Sequence, residues 1–81
     1  QNYPNPFNPT TTIKFDVAKA GRVRLDVFNV LGEKVATLVD REMERGYYET
    51  IFNASGLASG VYIYRVQADR FVQSKKMLLI K

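Results

Sequence analysis

The chain has 81 residues and a formal net charge of +4, from twelve Lys and Arg against eight Asp and Glu. Apolar residues make up 46 % of it, with five Phe and five Tyr, which excludes a disordered chain and favours β-strands. There is no Cys and no His, so disulfides and thiolate or imidazole zinc sites are excluded, and this length predicts one small domain.

All three prolines lie in the first nine residues, where each biases its preceding residue away from the helical region. We therefore predict an extended Pro- and Asn-rich entrance segment over residues 1–10, ahead of a β-sandwich over residues 11–81. Phe7 is too apolar for a free linker, so we expect its ring to tuck under one end of a sheet.

Residues 11–17 alternate between apolar and polar, with Ile13, Phe15 and Val17 on one face, and this period of two predicts a half-buried strand. A turn over residues 18–21 leads into a predicted hairpin. Its first strand places Val23, Leu25 and Val27 on the apolar face. The polar positions predicted to face water are Arg22, Arg24 and Asp26.

The hairpin turns at residues 29–32, where Gly32 supplies a positive φ, and returns through the apolar run 35–39. The charged run 40–45 predicts a solvated loop with Met43 tucked inward, since it is too short for an independent helix. Residues 47–53 predict a further strand with Tyr48, Thr50 and Phe52 on one face.

The last third of the chain predicts two more strands. In the small-residue connection 54–60, Leu57 is expected to anchor one end of the core. Residues 61–68 are apolar on both faces until Arg65, which is typical of a central strand. Asp69 and Arg70 form a tight turn, and residues 71–80 run back. Six to seven short strands without a convincing helix predict an all-β, antiparallel β-sandwich.

No enzyme motif is present: the serines have no His to activate them, and the carboxylates form no evident pair. No cofactor is expected, and no apolar run is long enough to span a bilayer. The basic end suits an acidic partner, although lysines on edge strands also prevent aggregation. Its charged residues are Arg65, Arg70, Lys75, Lys76 and Lys81 against Asp69 alone.

Two binding functions are weaker alternatives. The basic end could bind a nucleic-acid strand, but no fingerprint of such a module is present, so none is expected. A carbohydrate-binding module would need an exposed aromatic platform, for which four tyrosines are candidates, but the chain has no Trp and core tyrosines explain the pattern as well. The tyrosines are Tyr47, Tyr48, Tyr62 and Tyr64.

Four motifs in this order resemble a known family, and together they cover essentially the whole chain. The entrance motif is Asn2, Tyr3, Pro4, Asn5, Pro6, Phe7, Asn8 and Pro9, with Thr12 and Ile13 after it. The second runs over residues 27–35 and includes Leu31 and Gly32, and the third runs over residues 57–62 and includes Gly60 and Tyr62. The terminal motif is Lys75, Lys76, Met77, Leu78, Leu79, Ile80 and Lys81.

The chain resembles the type A C-terminal sorting domain of the type IX secretion system, which is similar to the immunoglobulin-like domain of flagellar hook-capping proteins. The resemblance implies an immunoglobulin-like fold without catalysis, at the tail of a larger secreted protein of a Bacteroidetes-like bacterium. It implies a Sec signal on the cargo, passage through the periplasm, and recognition by the outer-membrane translocon. A sortase-like signal peptidase would then cut at or before Gln1 and join the cargo to an anionic lipopolysaccharide.

The resemblance also leads us to expect that the translocon reads the terminal motif, from Lys75 to Lys81, on a final strand whose edge is open. Because side chains alternate along a strand, one face of this motif is expected in the core and the other available. An immunoglobulin-like spacer or assembly domain of a secreted protein remains the main alternative.

Overall fold

A computed structural model describes residues 2–3 and 9–80, and within these residues the protein is all-β. Seven strands occur there, and every pairing between them is antiparallel. They are β1 (Asn2–Tyr3), β2 (Thr10–Val17), β3 (Gly21–Asn29), β4 (Lys34–Met43), β5 (Gly46–Asn53), β6 (Gly60–Ala68) and β7 (Phe71–Leu79). The described part of the chain contains no helix that could cross a membrane. The expected position of Phe7 lies outside the described residues.

The strands form two sheets, a three-stranded one in the order β1-β2-β5 and a four-stranded one in the order β4-β3-β6-β7. The chain crosses from one sheet to the other through residues 18–20, 44–45 and 54–59. The predicted immunoglobulin-like antiparallel sandwich is confirmed. So is the central strand predicted over residues 61–68, because β6 lies between β3 and β7.

The core lies between the two sheets, and β3 runs through its middle. Val23, Leu25 and Val27 are fully buried, as their alternation predicted, and burying each such side chain contributes about 1.5–3 kcal/mol. The three-stranded sheet and the other strands supply the rest. The buried hydrophobic residues are Ile13, Phe15, Val17, Val23, Leu25, Val27, Met43, Phe52, Ala54, Tyr62, Tyr64, Val66, Met77 and Leu79.

Strand β4 does not alternate regularly, and two irregularities in its pairing with β3 explain why. The register shifts twice, and each shift leaves one extra residue on β4, first Val35 and then Leu38. Such bulges rotate the following residues, so neighbouring side chains can reach the same face. The apolar residues of β4 that pack partly buried against the core are Val35, Ala36, Leu38 and Val39.

The prediction of a solvated loop over residues 40–45 is wrong, because β4 continues as a strand to Met43, opposite Gly21. Arg22 of β3 donates from Nε and Nη2 to Asp40 Oδ1 of β4, at 3.0 and 2.8 Å. Opposite charges across a strand pair favour the pairing, so the alternating charges belong to an edge strand. Met43 is buried, as expected.

The prediction that Asp26 faces water is also wrong, because only 2 % of this residue is exposed. Its Oδ1 accepts a hydrogen bond from Thr37 Oγ1 at 2.7 Å, and its Oδ2 accepts one from Arg24 Nε at 2.9 Å. Asp26 does lie on the outward face of β3, but these two neighbours cover it there. The paired hydrogen bonds satisfy the carboxylate and offset its desolvation.

Two buried tyrosines of β6 are expected to respond in opposite ways to the same substitution. The Tyr62 hydroxyl donates to Ala58 O at 2.7 Å, whereas the Tyr64 hydroxyl is buried without a hydrogen-bond partner among the described residues. Tyr62→Phe should lower the free energy of unfolding by about 1 kcal/mol, and Tyr64→Phe should raise it by about 1 kcal/mol. Urea denaturation of both variants measures this, and a loss of stability in Tyr64→Phe would contradict it.

Burial raises the pKa of the Tyr64 hydroxyl above its ordinary value of 10.0. The folded state therefore favours the neutral phenol over the phenolate. This preference stabilises the folded state fully at a pH below 10.0, and the stabilisation is lost as the pH rises through the raised pKa. Above about pH 9, the wild type should lose free energy of unfolding faster with rising pH than Tyr64→Phe does. Parallel curves for the two proteins would show that Tyr64 titrates alike in the folded and unfolded states.

Candidate functional site

Strand β7 lies at one edge of the four-stranded sheet. Ala68 pairs with Phe71 across the tight turn that was predicted at Asp69 and Arg70. Asp69 adopts a left-handed φ of 56°, which Asp tolerates better than most residues. The turn holds β7 beside β6, and in the described part of the chain no strand lies along its other side. This edge is a place where a strand of another protein can pair.

The far end of β7 divides its side chains between the core and the solvent. Met77 and Leu79 are buried, whereas Leu78 is 41 % and Ile80 48 % exposed. Residues 77–80 thus alternate between the core and an exposed position, as their sequence predicted. Lys81 lies outside the described residues.

The first part of β7, residues 71–76, is exposed on both faces. By register, Phe71, Gln73 and Lys75 lie on the face that points toward the other sheet, yet that sheet does not cover them. Lys75 and Lys76 are therefore both in solvent, on opposite faces of the same strand. Neither forms an ion pair with a carboxylate among the described residues.

The motif residues Gly60 and Tyr62 build the corner that leads into β6. Gly60 has a φ of 152°, which side chains rarely adopt, and the Tyr62 hydroxyl reaches back to the carbonyl of Ala58. Leu57, three residues before Gly60, packs partly buried against the core, as expected. A tyrosine that bonds to the backbone just upstream is a structural device in sandwich folds.

The motif residues Leu31 and Gly32 lie at the tip of the β3-β4 hairpin, where Leu31 is 80 % exposed and Gly32 has a φ of 82°. Asn29 holds the tip: its Oδ1 accepts from the backbone N–H groups of Leu31 and Glu33, at 2.9 and 3.0 Å. The sequence analysis did not single out Asn29. An Asn three residues before a turn Gly is the signal that could have found it.

Of the entrance motif, Pro4, Asn5, Pro6, Phe7 and Asn8 lie outside the described residues. Asn2 and Tyr3 pair with Ile13 and Thr12 of β2. The carbonyl of Pro9 accepts a hydrogen bond from the backbone N–H of Ala54 at 2.8 Å. This bond joins the start of β2 to the end of β5.

An open groove of about 800 Å³ lies at the end of the sandwich where β7 begins. Its described lining contains the carboxylates of Asp16 and Asp69 and the cations Lys19, Arg22 and Arg70. It contains no hydroxyl, thiol or imidazole that could act as a nucleophile or be paired with a base. Elsewhere among the described residues, no three carboxylates lie close enough together to hold a metal ion.

The four tyrosines do not form a platform on which a sugar could stack. Tyr62 and Tyr64 are core residues, and Tyr48 stacks on the ring of Phe15 with 5.8 Å between centroids. Tyr47 is 88 % exposed, but it shares no face with the others. Among these four tyrosines, Tyr47 alone is exposed enough for a sugar to stack on it.

The open edge of β7, its solvent-exposed lysines and its apolar end together form the candidate recognition site.

A model of the family described as secretion system C-terminal sorting domain matches residues 1–81, the whole chain. No curated protein and no solved structure shows a significant match. The family match confirms the resemblance that the four motifs indicated, and this chain belongs to the C-terminal sorting domains of the type IX secretion system.

Proposed function

We propose that this domain directs the protein that carries it through the type IX outer-membrane translocon, which recognises β7 and the residues that follow it. The observation that supports this most strongly is that β7 is an edge strand with residues 71–76 exposed on both faces. Membership of the sorting-domain family supports the same role.

Recognition proceeds by strand addition, in which an extended segment of the translocon pairs with the open edge of β7. Backbone hydrogen bonds supply affinity in this mode, and side chains that alternate along the strand supply specificity. The domain needs no rearrangement to bind in this way, because β6 already holds β7 extended. The entropy cost of binding is correspondingly small.

The lysines select the partner by charge. Lys75 and Lys76 project from opposite faces of β7, so an added strand with carboxylates on both faces would contact both. Lys81, two residues after β7 in the sequence, adds a third positive charge to the terminal motif. These exposed charges act mainly on the association rate and on the rejection of wrong partners, so recognition should weaken at high salt.

The domain itself performs no chemistry in this scheme. The cargo that precedes it reaches the periplasm by its own signal, and the translocon carries the cargo across the outer membrane. A sortase-like signal peptidase then cuts upstream of the sandwich and attaches the cargo to the cell surface. Positions inside the β-strands are unsuitable for this cut, because a peptidase needs an extended segment that is free to enter its active site.

Export of a passive reporter fused to this domain tests the proposal in a bacterium with type IX machinery. The double substitution Lys75→Ser and Lys76→Ser should lower the surface-exposed fraction of the reporter by about tenfold, because it removes two charges from the recognised strand. Lys14→Ser with Arg45→Ser is the matched control, since it removes two exposed cations away from β7. Retention of the intact fusion in the periplasm would favour the immunoglobulin-like spacer instead.

Deletion of residues 75–81 is not a clean test, because it also removes the core residues Met77 and Leu79. Leu79→Ala should lower the free energy of unfolding by about 2–4 kcal/mol, whereas Ile80→Ala, at a half-exposed position, should cost less than about 1 kcal/mol. Urea denaturation measures both. Equal effects would mean that the end of β7 does not complete the core.

A further inference from the structure

The outer face of the four-stranded sheet, which points away from the other sheet, carries one row of residues that crosses all four strands. Lys34 of β4 pairs with Phe28 of β3, Phe28 pairs with Ile63 of β6, and Ile63 pairs with Lys76 of β7. Paired residues of antiparallel strands share a face. Two apolar side chains are thus flanked by a lysine at each edge of the sheet.

The apolar part of this row continues toward the end of the sheet. Val61 and Leu78 are the next pair on the outer face, and both are more than one third exposed. Phe28 and Ile63 are half-buried. We refer to Phe28, Val61, Ile63 and Leu78 as the apolar strip. Contiguous apolar side chains on the outside of a small domain are typical of interaction sites.

None of the three cations around the apolar strip, Lys34, Arg65 and Lys76, forms an ion pair with a carboxylate among the described residues. The guanidinium of Arg65 lies over the ring of Phe28, 4.6 Å from its centroid, and its buried Nε has no hydrogen-bond acceptor among the described residues. Lys34 and Lys76 form no ion pair with a described carboxylate. The nearby Glu33 is held by Asn29, whose Nδ2 donates to Glu33 Oε1 at 2.8 Å.

At the other end of the same face, both arginines of β3 are paired with carboxylates. Arg22 is paired with Asp40, and Arg24 is paired with Asp26. The cations of this face without an ion pair among the described residues therefore lie at the end that also carries the apolar strip. This coincidence distinguishes the strip from an ordinary solvated face, on which charges of both signs are mixed.

We propose that the apolar strip and its three cations, Lys34, Arg65 and Lys76, dock a protein surface that presents apolar side chains bordered by carboxylates. This rests on the proposed function, since the partner is the translocon component that pairs with β7. A strand added to the edge of β7 would extend this sheet and bring the body of the partner beside the apolar strip, which begins at Leu78 of β7. A second copy of this domain fits poorly, because it would bring like charges together.

Lys34 is the residue that distinguishes docking on this face from recognition of the β7 edge alone. It lies on β4, three strand spacings or about 14 Å from β7. In the reporter fusion, Lys34→Glu and Ile63→Thr should each lower the surface-exposed fraction by about tenfold, and Lys34→Arg should retain it. The controls are Arg45→Glu, which makes the same reversal of charge, and Ile51→Thr, which makes the same apolar-to-polar change. Both positions are exposed and off this face, so export should change less than about twofold.

Urea denaturation of each fusion establishes that the compared variants are folded. If folded Lys34→Glu and Ile63→Thr are exported at the wild-type level while the Lys75 and Lys76 double variant is not, docking on the outer face is contradicted. Recognition of β7 would still be supported. Failure of the intact fusion to be exported would remove the sorting function and this inference with it.

Two other occupants are tested with the same fusions. A dimer in size-exclusion chromatography that Lys34→Glu disrupts would assign the face to a second copy and overturn the proposal. Binding of the wild-type fusion to phosphatidylglycerol vesicles, lost in Lys34→Glu, would assign it to a membrane and overturn it likewise. If the fusion is monomeric and does not bind the vesicles, and Lys34→Glu and Ile63→Thr lower export as expected, an acidic protein partner is supported.

Discussion

The fold depends on keeping water away from the inner face of β3, where Val23, Leu25 and Val27 are fully buried. A strand with one apolar face cannot be stable in a single exposed sheet, so a second layer is required. The two bulges in β4 serve this constraint, since they turn additional apolar side chains toward β3's core. Because the facing sheet has three strands in the described part of the chain, it covers the end of β7 at Met77 and Leu79 but leaves residues 71–76 exposed.

Period-two alternation was sufficient to predict most strands and their buried faces, because it follows from backbone geometry alone. It failed where the outcome depends on a neighbour. The alternating charges of residues 40–45 are compatible with a solvated loop and with an edge strand. The cross-strand contact between Arg22 and Asp40 favours the strand. Asp26 occupies an outward position as predicted, but its exposure depends on Arg24 and Thr37, and Thr37 is brought there by the bulged pairing of β4.

The candidate site was predictable to a similar extent. The alternation of Met77, Leu78, Leu79 and Ile80 between core and solvent follows from the sequence, and the two-residue turn at 69–70 indicates a hairpin. The sheet order that makes β7 an edge does not follow from these, since it requires the non-local pairing of β3 with β6. The Arg65–Phe28 contact and the row from Lys34 to Lys76 arise from that same pairing, so sequence spacing alone could not reveal them.

The placement of core residues along β7 has a consequence for quality control. Its buried side chains, Met77 and Leu79, come last in the strand, so the sandwich closes only when the whole strand is present. A chain that stops early, or that a protease cuts in the exposed segment 71–76, loses two core side chains from the sandwich at once. A partner that binds only the folded sheet would then fail to bind incomplete products, which would not enter the export channel. Binding of the sorting domain would in this way report that the chain is intact.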